Sequence, residues 1–480
     1  MIPASAVNTT IDRQASFTLM LLCAVVFLSV VNGTMVNVAL PIIGQAFQVT
    51  EGTYGWIVTG NALAFGIFNA VHGRLADIVG IRRLYLLGIV IFGATSVLVA
   101  LSPTIEIAIA LRVFQGAGSA AIPALGAMIV VRSFPPSKRG AAMGLILGSV
   151  GVAASLGPFL GGLLVQISGW RAVFLFTSVV LLAVPVGLKL LPKSLDERIP
   201  QKFDVLGALL LGIGVTALLY SFNVIERLGF GATFAALIAI GVLGLAAFGW
   251  RISHTPEPFA HPDLFRNTGF VTITAVAFLS NATRFGTIVL VPIFLIEVNG
   301  LAPVWVGLVL LPGALMIAAI SPLSGKLSDR IGARRPVAAG MLLLVAGNLV
   351  TACFAGGNVL GVTIGMALYG MGFALLQSPL VASVTRVLAP QRASGGMGIF
   401  MMIFFLGGAF GVALSVTAVE LQSREAASWL GFSLGAGAPY SNAVLTLTGL
   451  ALLGLLMLPG LPSTPGVEVE NAADAVDGQS

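Results

Sequence analysis

Long apolar stretches separated by short polar punctuation run through nearly all of this 480-residue chain. About twenty apolar residues in a helix rise roughly 30 Å, the thickness of a bilayer's hydrocarbon core. Counting such stretches gives fourteen: 16–41, 53–73, 84–102, 105–131, 140–166, 171–191, 205–224, 231–250, 269–295, 304–324, 335–354, 358–381, 393–419 and 441–460. Helix is the predicted form, because hydrocarbon offers no partner to loose backbone groups. A barrel would show shorter, alternating segments. Arg13 precedes the first stretch, which continues past Val36 without a small-residue cleavage pattern, so it reads as a retained span rather than a leader. The polar tail, with Glu468, Glu470, Asp474 and Asp477, reads as disordered.

Composition makes the bilayer reading hard to avoid. Hydrophobic residues are 57% and charged residues 9% of the chain, with a mean hydropathy of +1.03. A soluble domain carries about 25% charged residues. The two cysteines lie in apolar runs and the three histidines lack ligand spacing, so no metal, disulfide framework or cofactor is expected. The net charge of +6 is scattered over short loops and points to membrane topology, not to nucleic acid. There is no G-x-x-x-x-G-K-[ST] loop for ATP. Nor is there a soluble catalytic domain to hold a nucleophile and its base, so the chain does not read as an enzyme.

Charge also sets an orientation. With the N-terminus in the cytoplasm, nineteen of the 24 Lys and Arg residues face inward and only Arg171, Arg227 and Arg424 face outward. Arg112 and Arg284 fall within spans. This is the positive-inside pattern of a multi-pass plasma (bacterial inner) membrane protein with both termini cytoplasmic.

The chain repeats itself. Gly73-Arg-Leu-Ala-Asp77-Ile-Val-Gly80-Ile-Arg82-Arg83 follows the second stretch, and Gly325-Lys-Leu-Ser-Asp329-Arg-Ile-Gly332-Ala-Arg334-Arg335 follows the tenth. The repeat implies two homologous halves of six helices with two extra helices between them. The predicted domains are therefore 1–200 (six-helix bundle), 201–262 (two linker spans), 263–462 (six-helix bundle) and 463–480 (cytoplasmic tail). In each matched loop the glycines permit a tight turn, and the aspartate can pair with arginines or cap a neighbouring helix. Such a cluster can latch the cytoplasmic side in one state and release it in another. The plainer reading is that the basic residues are only topology signals.

That loop resembles the signature of the major facilitator superfamily, and further motifs agree. Arg112-Val-Phe-Gln115-Gly116 in the fourth stretch resembles its R-x-x-Q-G element. Gly151, Gly157, Pro158, Gly161 and Gly162 resemble the exporters' glycine–proline element. Thr34 to Pro41, Trp170-Arg171-x-x-Phe174 and Phe203 to Gly207 resemble segments of the 14-span drug:proton antiporter branch. The resemblance covers essentially the whole chain. It implies an all-α membrane protein with the major facilitator fold, exporting small lipophilic or drug-like molecules by proton antiport with alternating access. The partners implied are substrate, protons and the lipid bilayer, with the chain acting as a monomer.

Candidate chemistry follows from polar residues placed where lipid should be. A charge inside a span costs several kcal/mol unless it is paired or hydrated. Arg112 reads either as the proton-relay or substrate cation that the resemblance implies, or as a structural arginine satisfied by carbonyls and Gln115, which shares its helix face. Arg284 reads either as a cavity cation or as a packed, snorkelling side chain. Asn37, Asn61 and Gln377 read as cavity residues or as interhelical glue. At Asn32 the resembling branch usually has an aspartate; Asn cannot titrate, although it can hydrogen-bond. No carboxylate stands near the middle of a span, so any proton coupling must use an acid at a span end, such as Glu51, Glu297 or Glu420, or a hydrated pathway. An uncoupled facilitator or uptake carrier for a neutral or anionic metabolite is the alternative expectation. A non-transporting sensor is a third.

Overall fold

The computed structural model describes residues 4–196, 204–228, 231–256, 258–388, 390–422, 429 and 435–461. The expected tail, 463–480, lies outside the described residues. The long helices are α1 (Ala4–Phe47), α2 (Glu51–Val79), α3 (Ile81–Ala100), α4 (Ile105–Ser133), α5 (Pro136–Ser168) and α6 (Arg171–Leu190). They continue as α7 (Val205–Leu228), α8 (Ala232–His254), α9 (Thr268–Glu297), α10 (Pro303–Ile331), α11 (Arg334–Cys353), α12 (Val359–Val387), α13 (Pro390–Gln422) and α14 (Ala438–Leu456). A 3-10 turn at Val179–Leu182 interrupts α6, and a one-turn helix, Pro262–Arg266, precedes α9. Among the described residues twelve helices are long and apolar enough to span a membrane, or thirteen if the bent α5 is one span. The helix α2, with Glu51, His72, Arg74 and Asp77 in its sequence, is not among them.

Local chemistry sets the helix ends. Asn267 Oδ1 accepts from the Phe270 amide at 3.0 Å and caps α9, while Asn358 Oδ1 accepts from Leu360 at 2.8 Å and caps α12. Proline opens α5 and α10, where a missing N–H costs nothing. The turns after α2 and α10 are made by Gly80 (φ 100°) and Gly332 (φ 78°), in a region closed to most side chains. The conserved spacing of the two loops is therefore matched by matched backbone conformation.

Bilayer helices associate through small residues and close approach. Gly88 and Gly118 let α3 and α4 touch; Gly214, Gly241 and Gly244 do so for α7 and α8; Gly347 and Gly365 do so for α11 and α12. α2 runs beside α13, α5 runs beside α10, and α1 meets α9. The α7–α8 hairpin lies against α2 and α13. Its α8 face is largely exposed, with Leu243 and Trp250 outermost, as lipid contact requires. Asp204 anchors the hairpin base. It accepts from Arg251 Nε (2.7 Å), the Gly207 amide (3.0 Å) and the Phe259 amide (3.3 Å). Burial pushes its carboxyl up, but these hydrogen bonds outweigh that and hold it below the usual carboxylate range.

Candidate transport site

Arg112 is 1% exposed and stands at the centre of a hydrogen-bond network that reaches five helices. Its Nε donates to Ile57 O of α2 at 3.0 Å, and one terminal nitrogen donates to Asn32 Oδ1 of α1 at 2.9 Å and to Gln115 Oε1. Gln115 donates in turn to Ser96 of α3, and Asn32 Nδ2 donates to Thr177 of α6 at 3.0 Å. Asn61 Nδ2 donates to the backbone carbonyl of Arg112 at 3.1 Å, and the Phe174 ring lies 5.7 Å from the guanidinium. Arg112, Gln115, Asn32 and Asn61 therefore belong to one network sealed among α1–α4 and α6. The asparagine supplies both an acceptor to the arginine and a donor to Thr177, which an aspartate could not do unprotonated.

The other expected polar residues are dispersed. Asn37 is buried, and its Oδ1 has no hydrogen-bond partner. Gln377 on α12 is exposed and lines an open pocket with Ser280, Phe373 and Phe404. Arg284 on α9 is half-buried, with its guanidinium over the rings of Phe373 (4.4 Å) and Phe285 (5.0 Å). The Tyr369 hydroxyl donates to the Arg284 carbonyl at 2.8 Å, and Asn281 Nδ2 donates to Phe404 O at 2.7 Å, tying α9 to α12 and α13.

The glycine–proline element of α5 works at two interfaces. A Cβ at Gly161 would stand 2.8 Å from Met35 of α1, and one at Gly157 would collide with Thr34. On the other side Gly162 abuts Pro303, and Gly307 of α10 abuts Pro158 and Phe159. Gly151 faces Ala318 of α10. The helix bends by 42° between Gly148–Ala154 and Leu156–Ser168. Pro158 lacks the N–H that would bond to residue 154, which places the bend.

In the matched loops, Arg82 donates to Leu188 O at 2.7 Å, joining the start of α3 to the end of α6. Arg83, Arg334 and Arg335 are exposed. Gly73 and Gly325 have open space around them, out to 4.0 Å. The side chains of Asp77 and Asp329 lie outside the described residues.

One constellation was not anticipated as a group. Glu51 and Tyr54 of α2 meet Glu297 of α9 and Tyr440 of α14. Tyr440 lies within hydrogen-bond reach of both Glu51 Oε1 and Glu297 Oε2 (2.9 Å to the latter), and the Tyr54 hydroxyl donates to Glu297 Oε1 at 3.2 Å. Glu420 at the end of α13 accepts from the Gly52 amide at 2.8 Å. Glu51 Oε2 is sealed from solvent without a hydrogen-bond partner among the described residues. The sequence placed Glu51, Glu297 and Glu420 at span ends, but nothing in it signalled their convergence. Two of the five tyrosines sit here, which is the only signal it offered.

The family that the chain matches and the relatives it resembles are membrane transporters and not enzymes. The sequence pattern of the Major Facilitator Superfamily matches residues 22–412, and the chain belongs to that family. It is 33% identical over 405 residues to "Multidrug resistance protein Stp" of Mycobacterium tuberculosis, covering 83% of this chain and 75% of that one. It is 29% identical over 405 residues to "Riboflavin transporter RibZ" of Clostridioides difficile, covering 84% and 87%. The fold matches a crystal structure of a POT family transporter in complex with a thioalcohol-conjugated peptide, at a TM-score of 0.69 and 15% identity, covering 92% of this chain and 95% of that one.

Proposed function

We propose that this protein exports small, largely apolar drug-like molecules across the plasma membrane by proton antiport with alternating access. Its fourteen spans, α2 included, form two six-helix halves around the α7–α8 pair, with both termini cytoplasmic. The observation that carries the reading is the Glu51–Tyr54–Glu297–Tyr440 cluster, which joins α2 of the first half to α9 and α14 of the second. Tyr440 has one hydroxyl proton and two carboxyl oxygens within reach. It can donate to one, and the other can donate to the phenol oxygen when it carries a proton. In this reading one carboxyl of the closed face is the proton carrier, and opening the halves lets it take up or give up that proton. The close approach of α5 to both α1 and α10 supports the same alternation, because it seals that end only while the halves are together. The matched Gly73–Arg83 and Gly325–Arg335 loops act as the latch at the opposite end. A relative named for multidrug resistance supports export.

The alternative is an uncoupled facilitator or uptake carrier. Asn32 favours it, since that position cannot titrate, and so does a relative named as a riboflavin transporter. Everted vesicles separate the two. Antiport predicts that an imposed proton gradient drives dye accumulation and that nigericin abolishes it. Dye that only equilibrates across the membrane, with or without the gradient and nigericin, supports the uncoupled carrier.

A further inference from the structure

The two arginines inside spans are treated in opposite ways. Arg112 spends its donors on Ile57, Asn32 and Gln115. The Nε of Arg284 is sealed from solvent and has no hydrogen-bond partner among the described residues. The Tyr369 hydroxyl near it is already committed to the Arg284 backbone carbonyl. Among the described residues no carboxylate pairs with the guanidinium. A half-buried cation with a sealed, unpaired Nε inside a span is costly, and an acceptor from outside the chain would offset that cost.

The surroundings say which acceptor. The Phe373 and Phe285 rings lie 4.4 and 5.0 Å from the guanidinium carbon, which stabilises the charge through the ring faces but satisfies none of the five N–H donors. Phe373 is also a wall of a shallow open cleft shared with Ser280, Gln377, Phe400, Met401 and Phe404. Ser280 stands one turn before Arg284 on the same face of α9. A planar fork beside an aromatic and methionine-lined pocket suits a flat ring system that stacks on phenylalanine and carries an oxyanion for bidentate pairing.

We infer that Arg284 anchors the substrate and that the site takes aromatic anions, compounds with a flat ring system and a carboxylate, sulfonate or phenolate. The inference rests on the transport reading and narrows it: cationic drugs meet an uncompensated positive charge here.

Fluorescence anisotropy on the purified full-length protein tests it, with fluorescein as the anionic probe and rhodamine 6G as the cationic one. Arg284→Gln is expected to weaken fluorescein binding about tenfold or more, and Arg284→Lys less, while rhodamine 6G binding stays equal or tightens. Should Arg284→Gln not fold, the wild type still decides: salicylate displaces fluorescein and the neutral salicylamide does not. Equal fluorescein affinity in wild type and Arg284→Gln, an equal loss of both probes, or equal displacement by the two competitors overturns the inference. Binding is read without flux, so the two readings fail separately. Arg284-dependent binding with no fluorescein transport leaves the anion site and sinks export. Drug export with no Arg284-dependent anion binding does the reverse.

Discussion

Replacing Arg112 with methionine removes the centre of a network that reaches five helices. The cost can be worked from its contacts. Ile57 O, Asn32 Oδ1 and Gln115 Oε1 all accept from the guanidinium, in a site 1% exposed where water cannot replace it. Each orphaned acceptor costs about 1–3 kcal/mol. Removing a buried charge returns about 3 kcal/mol, on the scale of membrane insertion. The net is a loss of roughly 3 kcal/mol for Arg112→Met. Arg112→Lys keeps the charge but not the fork, and should lose less, about 1–2 kcal/mol. Thermal unfolding in detergent, set beside transport in proteoliposomes, reads both. The structure predicts that stability and transport fall together, and that lysine is intermediate in both. A methionine variant that unfolds at the wild-type temperature but does not transport would refute the structural account and make Arg112 a group of the transport chemistry.

Three further outcomes are expected. Gly161→Ala places a methyl 2.8 Å from Met35; overpacking of about 1–3 kcal/mol should reduce transport severalfold with normal insertion, and wild-type flux would show that α1 and α5 do not need this approach. Asn32→Asp should insert normally and gain no new pH dependence, because the position is 2% exposed and faces Arg112; a new pH profile for cationic substrates would show that water and substrate reach it. Asp204→Asn should lower stability by about 1.5–3 kcal/mol at neutral pH. The folded carboxyl lies below its unfolded value, so its contribution is full above the ordinary carboxylate range and is lost as pH falls through the folded value; melting temperatures of the two proteins should therefore converge in acid, and a constant gap would contradict the assignment.

Much of the architecture was legible because the bilayer imposes a simple rule. Long apolar runs had to be helices, and the described helices follow the predicted stretches to within several residues at most ends. The paired loops were legible because a positive φ at Gly80 and Gly332 is a requirement a sequence can display. The exporter glycines were legible as packing residues for the same reason: only a missing Cβ lets α5 approach Met35 and Pro303 so closely. The rotation of each helix was not legible. An apolar span facing lipid on one side and other helices on the rest has little contrast between its faces, so the sequence could not say that Arg112 is sealed while Arg284 is half-open. Nor could it bring together Glu51, Glu297 and Tyr440, which are separated by up to 389 positions. That meeting depends on how α2, α9 and α14 pack against one another, and no local pattern encodes it.

The claim that a carboxyl–tyrosine cluster couples export to protons is tested most directly by substrate-driven proton movement in proteoliposomes, read with a trapped pH-sensitive dye. The account predicts a proton signal opposite in direction to substrate in the wild type, lost in Glu297→Gln while substrate exchange continues. Substrate movement without a proton signal in the wild type, or a signal unchanged in Glu297→Gln, would contradict it.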